Sequence, residues 1–391
     1  MSDHKQSGKR SDQSGKRSDQ SSKRSDRYWV GFNIVRGIGP ARLRALLDYF
    51  GDVERAWHAS AGELRSAGLD RRSLENLLAA RSTLDLDQEL ERIAAVDAQV
   101  LTWESPNYPR LLREISAPPP VIYVKGTITE EDVWAVAVVG TRRASDYGRE
   151  VTRRLAAALA RSGITIISGM ARGIDGEAHR AALKAGGRTI AVMGCGIDRV
   201  YPPEYRRLAG EIVAQGALVS DYPLGTKPEG KNFPPRNRII SGLSMGVLIV
   251  EAGVRSGALI TADYAAEQGR DVFAVPGSIL GRGSAGTNAL IQDGAKVVLG
   301  PEDILEELNL TMVAEQTEAR QVLPADETEA ALLARLSSDP THVDELQQQM
   351  GLPIAQVTST LALMELKGMV RQVGGMKYVV AREAGVEYVV D

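Results

Sequence analysis

From residue 133 onward the chain alternates short β-branched, apolar runs with longer stretches whose apolar positions recur with the period of a helix. The runs fall at 133–139, 164–167, 189–193, 217–219, 246–250, 271–275 and 296–299, and the helical pattern fills segments such as 151–161 and 204–215. Repeated strand–helix units of this length predict a parallel, doubly wound sheet. A proline-rich connector from Pro106 through Pro118-Pro119-Pro120 leads into it, with a further apolar run at 121–124.

The flanks follow other patterns. Residues 28–95 read as short helices. There Gly37-Ile38-Gly39-Pro40, followed by a helical stretch over 41–50, has the form of a helix-hairpin-helix turn, and 62–78 is a degenerate second copy. Such a turn offers backbone N–H groups that hold a phosphate without reading sequence, although hairpins of this kind also simply fold and pack. After an acidic, proline-bearing linker at 309–326, helical patterns at 327–336, 342–350 and 354–367 precede a wing at 370–380 that turns at Gly374-Gly375. This is the outline of a winged helix, spanning 327–391. Its presumed recognition helix has no basic residue before Lys367, so it is a poor reader of duplex DNA and better suited to a protein contact or a regulatory role.

Charge sharpens this division. The net charge is −3, yet residues 1–27 carry 8 Lys/Arg against 4 Asp, residues 134–300 carry 21 basic against 14 acidic, and residues 301–391 carry 6 against 16. Only the tail and the central block favour a polyanion. The tail repeats Gln-Ser-Gly-Lys-Arg-Ser-Asp from Gln6 and from Gln13, with a variant from Gln20, and has no apolar residue between Met1 and Tyr28. Disorder is expected there, as a weak nucleic-acid tether or a leader of no fixed role. The single cysteine, Cys195, excludes an internal disulfide framework, and no run approaches the roughly 18 apolar residues of a membrane span. A soluble cytoplasmic protein is expected.

Catalytic signals are sparse. Gly225 to Lys231-Asn232 nearly spells a Walker A loop, but Asn232 stands where the magnesium-binding hydroxyl belongs, and Pro234-Pro235 bar a helix until Arg236. Gly281-Arg282-Gly283-Ser284-Ala285-Gly286 matches the dinucleotide fingerprint but follows the sixth strand, whereas the fingerprint belongs to the first strand–helix turn. His179 stands one helical turn after Asp175, without a third partner. Glu251 and Glu267 beside Ser256-Gly257 and Thr261 suit a hydrolase or, equally, helix caps. No catalytic residue, metal or cofactor is expected.

In a doubly wound sheet, ligands sit beyond the carboxyl ends of the strands. The loops there are 140–143, 168–175, 231–238, 251–257 and 276–286, each carrying Arg, Lys or Ser and all but 231–238 combining it with glycine. The stretch 231–242 stands out, with Lys231, Phe233, Arg236 and Arg238 around two stiffening prolines. Cations interleaved with an aromatic ring suit a flexible polyanion with π-faces, such as single-stranded nucleic acid. The alternative makes Phe233 a buried loop anchor and the arginines ion-pair partners.

Val138-Val139-Gly140-Thr141-Arg142, Ser168 to Asp175 with Ala178-His179, Gly194 to Asp198 with Tyr201-Pro202, Phe233 to Ile240, Ser256 to Ala262 and Gln268 to Gly277 together resemble the DNA processing protein A (DprA/Smf) family over about residues 105–300. The resemblance implies an α/β architecture: a Rossmann-like parallel sheet (105–308) flanked by a small N-terminal helical domain of helix-hairpin-helix or SAM-like type (28–95) and a C-terminal winged helix. It also implies a non-enzymatic protein that binds single-stranded DNA entering during natural transformation and protects it. Such proteins load RecA, displace single-stranded DNA-binding protein, and form a homodimer through the Rossmann-like domain. Carried over position by position, the DNA-binding residues are Arg142, Arg143, Ser168, Gly169, Arg172, Gly173, Lys231, Phe233, Arg236, Asn237 and Arg238. Arg142, Arg172, Lys231 and Arg238 then neutralise phosphates, Gly169 and Gly173 let backbone approach, and Phe233 stacks a base. The basic repeat tail departs from the family pattern.

Two other readings remain at this level. One is a nucleotide 5′-monophosphate phosphoribohydrolase using Glu267, Arg255 and Arg172, although the Gly-Gly-x-Gly-Thr-x-x-Glu segment of such enzymes is replaced here by Gly253-Val254-Arg255-Ser256-Gly257-Ala258-Leu259-Ile260-Thr261. The other is a transcription factor acting through the winged helix.

Overall fold

The computed structural model describes residues 25–310, 326–337, 339–367 and 369–380. The basic repeats before residue 25 and the linker residues 311–325 lie outside the described residues. The chain divides at Leu310 into two units.

The first unit opens with a helix over 25–34, then Pro40–Phe50, Val53–His58, Ala61–Ser66, Arg71–Thr83 and Leu86–Ala94. Most of these begin where a polar side chain accepts a first-turn amide: Asp52 from Arg55, Ser60 from Glu63 in a capping box, Asp70 from Ser73, and Asp85 from Gln88. Trp29, Phe32, Leu43, Leu46, Leu64 and Leu77 are almost wholly buried, each contributing about 1.5–3 kcal/mol of transfer free energy. Their cluster continues into Tyr123, Met193, Cys195 and Ile212 of the sheet region. Helical region and sheet therefore share one core, and the boundary expected near residues 95–105 is a change of element type rather than a break in packing.

The sheet runs β1 (Ala98–Thr102), β2 (Val121–Gly126), β3 (Ala135–Val139), β4 (Thr165–Ser168), β5 (Thr189–Val192), β6 (Ala217–Ser220), β7 (Gly246–Ile249), β8 (Asp271–Ala274) and β9 (Lys296–Val297), in the spatial order β1-β2-β6-β5-β4-β3-β7-β8-β9. From β6 across to β9 every neighbour is parallel. β3, β4, β5 and β7 are buried at every position, as helices on both faces require. β2 joins β6 antiparallel, and β1 joins β2 antiparallel. β1 has no counterpart in the sequence reading, because Ala98-Gln99-Val100-Leu101-Thr102 is a half-covered edge strand with little β-branched density. The chain builds outward from β3 through β4, β5 and β6, then returns to set β7 on the other side of β3. The switch point thus lies between β3 and β7.

One local expectation is corrected. Pro234 and Pro235 do not delay the helix to Arg236; they occupy the first turn of the helix Phe233–Gly242. At that position a missing N–H costs nothing and a fixed φ favours the helix.

In the second unit the helices are Glu327–Leu333, Val343–Met350 and Ile354–Leu366. Strands Thr341–His342, Lys377–Val380 and Val370–Gln372 form an antiparallel sheet with Lys377–Val380 in the middle. Leu332, Val343, Leu346, Val357, Leu361, Met364 and Tyr378 form its core, and the wing turns through positive φ at Gly374, Gly375 and Met376. Lys367, at the end of the presumed recognition helix, is held by Glu329 at 2.7 Å.

Candidate nucleic-acid interface

A cleft of about 460 Å³ opens at the switch point, lined by residues of the loop after β3, the start of the helix Phe233–Gly242 and the loop after β7. Its walls include Arg142, Arg143, Phe233, Asn237, Ser256 and Gly257, and its floor includes Asp175 and Arg236. The loops after β3 and β7 are tied by the Thr141 amide, which donates to Glu251 O at 2.7 Å. The loop after β4 closes against them through Gly173, whose φ is +78° and whose absent Cβ would lie 2.3 Å from Thr141 O. Only glycine fits there.

The floor is a buried polar brace. Arg236, 4% exposed, donates Nη1 to Gly169 O at 2.8 Å and also to Val192 O. Asp175, 6% exposed, accepts the Gly169 and Ala171 amides at 3.2 Å each. Burial pushes the Asp175 carboxyl up, against the pull of the Arg236 charge, and burial pushes the Arg236 guanidinium down. Ser168 is fully buried and donates Oγ to Val138 O at 2.6 Å. Two of the expected contact residues are therefore withdrawn from any strand: the Ser168 hydroxyl and the Arg236 guanidinium hold main chain in place.

The remaining cations differ in how free they are. Arg142 and Arg143 are exposed and form no ion pair among the described residues; the Arg142 guanidinium lies 5.4 Å from the centre of the Phe233 ring. Arg172 is paired with Glu204 at 2.6 Å, and Lys231 with Glu229 at 2.6 Å, both pairs solvent-exposed. These hydrogen-bonded partners hold the Glu204 and Glu229 carboxyls below their usual range. Exposed pairs of this type are worth little, so a phosphate can take the carboxylate's place. Arg238 is different: it is largely buried, bonds Asp221 at 2.8 Å and donates to Ala117 O at 2.6 Å. It lies outside the cleft lining and ties its helix to Asp221 and Ala117, the role that the ion-pair reading assigns to it. Asn237 donates to Gly257 O at 3.3 Å, tying the two walls together.

Phe233 is half-buried, seated against Gly194, where a Cβ would lie 2.6 Å from the ring. Tyr201, 39% exposed, stands beside it with ring centroids 5.8 Å apart and planes at 35°. Tyr201 is a second exposed aromatic beside the cleft that residue-type reasoning passed over; its sequence signal was its place before Pro202.

Two of the candidate catalytic side chains are committed within the fold. His179 is fully buried, its Nδ1 bonded to Thr189 Oγ1 at 2.7 Å, and burial pushes its pKa down to about 3. Glu251 is spent on the Ser145 amide and hydroxyl at 2.9 and 3.1 Å, and Glu267 lies outside the cleft lining. Among the described residues there is no metal-ligand cluster, and no helix is long and apolar enough to cross a membrane.

Comparison with known proteins agrees with this architecture. Residues 99–309 match the family model for DNA recombination-mediator protein A, and residues 316–376 match the DprA winged helix domain. Protein Smf of Synechocystis is 38% identical over 390 residues, covering 90% of this chain and 98% of that protein. DNA processing protein DprA of Bacillus subtilis is 46% identical over 205 residues, covering 52% and 69% respectively. The crystal structure of DNA processing protein A from Streptococcus pneumoniae superposes with a TM-score of 0.64 at 35% identity, over 72% of this chain and 96% of that one. On these grounds the chain belongs to the DNA recombination-mediator protein A (DprA/Smf) family.

Proposed function

We propose that this protein binds single-stranded DNA at the switch-point cleft and acts as a cytoplasmic recombination mediator, protecting incoming strands and loading RecA during natural transformation as a homodimer. The observation that carries the reading is the meeting of two guanidiniums that form no ion pair among the described residues, Arg142 and Arg143, with the Phe233 and Tyr201 rings at one sheet edge. Phosphates meet Arg142 and Arg143 first. Arg172 and Lys231 then exchange Glu204 and Glu229 for phosphate, while a base stacks on the half-exposed aromatic pair. Stacking of this kind is worth about 1–3 kcal/mol per base and tolerates any sequence, and duplex DNA offers no free base face. Glu251 and His179 are committed internally and Glu267 lies outside the cleft lining, which favours binding over the hydrolytic reading.

Titration of fluorescent oligothymidylate at fixed salt tests the proposal. Arg142→Ala combined with Phe233→Ala is expected to weaken binding by more than about tenfold with an unchanged melting temperature. Equal affinity for the parent and this variant overturns the cleft assignment. Addition of the parent protein should also speed RecA filament growth on strands coated with single-stranded DNA-binding protein, and no acceleration would confine the protein to binding alone.

A further inference from the structure

A second basic surface begins at the cleft and leads away from it. The helices Asp146–Arg161 and Ile174–Lys184 follow β3 and β4 and pack side by side on one face of the sheet, both starting at its carboxyl edge. Ser145 caps the first, directly after the Arg142-Arg143 loop, and Gly173 caps the second, directly after Arg172. Between them runs a groove of about 630 Å³ carrying Arg153, Arg154, Arg161, Arg180 and Lys184, all exposed. At ~1.5 Å per residue the longer helix carries this row roughly 24 Å from the cleft.

Glu150 and Glu177 are the carboxylates of the groove. They pair with Arg153, Arg154 and Arg180 near the cleft end. Arg161 and Lys184, the last residues of their helices, form no ion pair among the described residues. The floor is made of small side chains, Ala157, Ala181 and Ala185, and no large apolar side chain lines the groove. A protein partner needs an aromatic or aliphatic anchor in a pocket, which this surface does not offer. A phosphate backbone needs only spaced cations with room to pass. The Arg180 guanidinium, 4.9 Å from the centre of the Tyr205 ring, adds a flat cationic surface on the same path.

We infer that the groove between these two helices is a second track for single-stranded nucleic acid, taking up the strand where it leaves the cleft past Arg143. The inference rests on the cleft reading above and extends it. Its test compares the full chain with an Arg161→Gln, Arg180→Gln, Lys184→Gln variant on two oligothymidylates, one short enough to be held by the cleft alone and one several times longer. The variant should bind the short strand as the parent does and lose affinity for the long one, with the salt dependence of long-strand binding falling by about 0.7 for each phosphate contact removed. Unchanged affinity and salt slope on the long strand overturn the inference and leave the cleft reading intact; this is also the result if the groove serves an acidic protein. Equal losses on both strands overturn it as well, since the groove is then no separate track. Should the parent bind neither strand, cleft and groove both fall. A Glu150→Gln, Glu177→Gln variant gives the converse reading if the first does not fold: tighter binding of the long strand only supports the track, and no change refutes it.

Discussion

Arg236 and Arg238 show how one sequence signal divides into different roles. Two residues apart on a helix, their side chains diverge by about 200°. One enters the floor of the cleft among main-chain carbonyls, and the other turns to Asp221. Lys231, before the helix, stays exposed with Glu229. The cationic character of this stretch was legible in the residues, whereas the direction of each charge was not, because it depends on the helix starting at Phe233. Glu204 and Glu229 compete with phosphate for the exposed cations, so Glu204→Gln and Glu229→Gln should tighten single-strand binding and steepen its salt dependence by up to about 0.7 each, read from titrations at several salt concentrations. His179 makes a prediction about stability. Thr189 donates its hydroxyl to Ile166 O at 2.6 Å, so His179 donates Nδ1–H to Thr189, and its buried Nε2 has no partner among the described residues. The native ring stays neutral down to about pH 3, while the unfolded ring takes up a proton near 6.5. Its contribution is fully present above 6.5 and is lost as pH falls toward 3. Buried Asp175 and Asp221, with raised pKa values, act in the opposite sense. The His179 part is therefore isolated as the difference between parent and His179→Gln in urea unfolding across that range, and the variant should show the weaker loss on acidification.

At the scale of elements, the strand–helix alternation was readable because each fully covered strand is a dense apolar run and each covering helix has one apolar face. What escaped was β1, a short strand whose place comes from pairing with β2 rather than from its own residues. The helix start at Phe233 escaped for a different reason: a proline pair reads as a barrier unless it is recognised as the first turn. The cleft likewise owes its shape to contacts between loops distant in sequence. Gly173 is the tightest of these. Gly173→Ala forces a side chain into a positive-φ position against Thr141 O, costing at least about 1–2 kcal/mol and pushing the Arg142-Arg143 loop outward. Both a lower melting temperature and weaker single-strand binding are expected, and loss of stability with unaltered binding would detach that loop from the strand. The cleft proposal gives the wing's Arg371 and Lys377 no part, so Arg371→Ala with Lys377→Ala in the full chain should leave binding unchanged in the same titration.

For the first unit as a whole, the consequential feature is the core shared by the N-terminal helices and the sheet. Its polar counterpart is a short chain of contacts: the Tyr123 hydroxyl donates to Asn33 Oδ1 at 2.9 Å, Asn33 Nδ2 donates to Asp221 O at 3.2 Å, and the Asp221 carboxylate holds Arg238 at 2.8 Å. Through it the first helix is tied to the helix that presents Phe233. Neither link was visible in the sequence, since Asn33 and Asp221 are common residue types in unremarkable settings. Asn33→Ala leaves the Tyr123 hydroxyl, on a side chain 1% exposed, without its acceptor, at a cost of about 1–3 kcal/mol. If one core governs the unit, that cost falls on everything at once. Hydrogen exchange followed in rising urea should then show amides of Pro40–Phe50 and Arg71–Thr83 opening together with those of β3 and β4, at a common midpoint that Asn33→Ala lowers equally for all of them. A midpoint for the helices well below that of the strands would mean that the helical region opens alone, and the shared core would then not be the unit of stability.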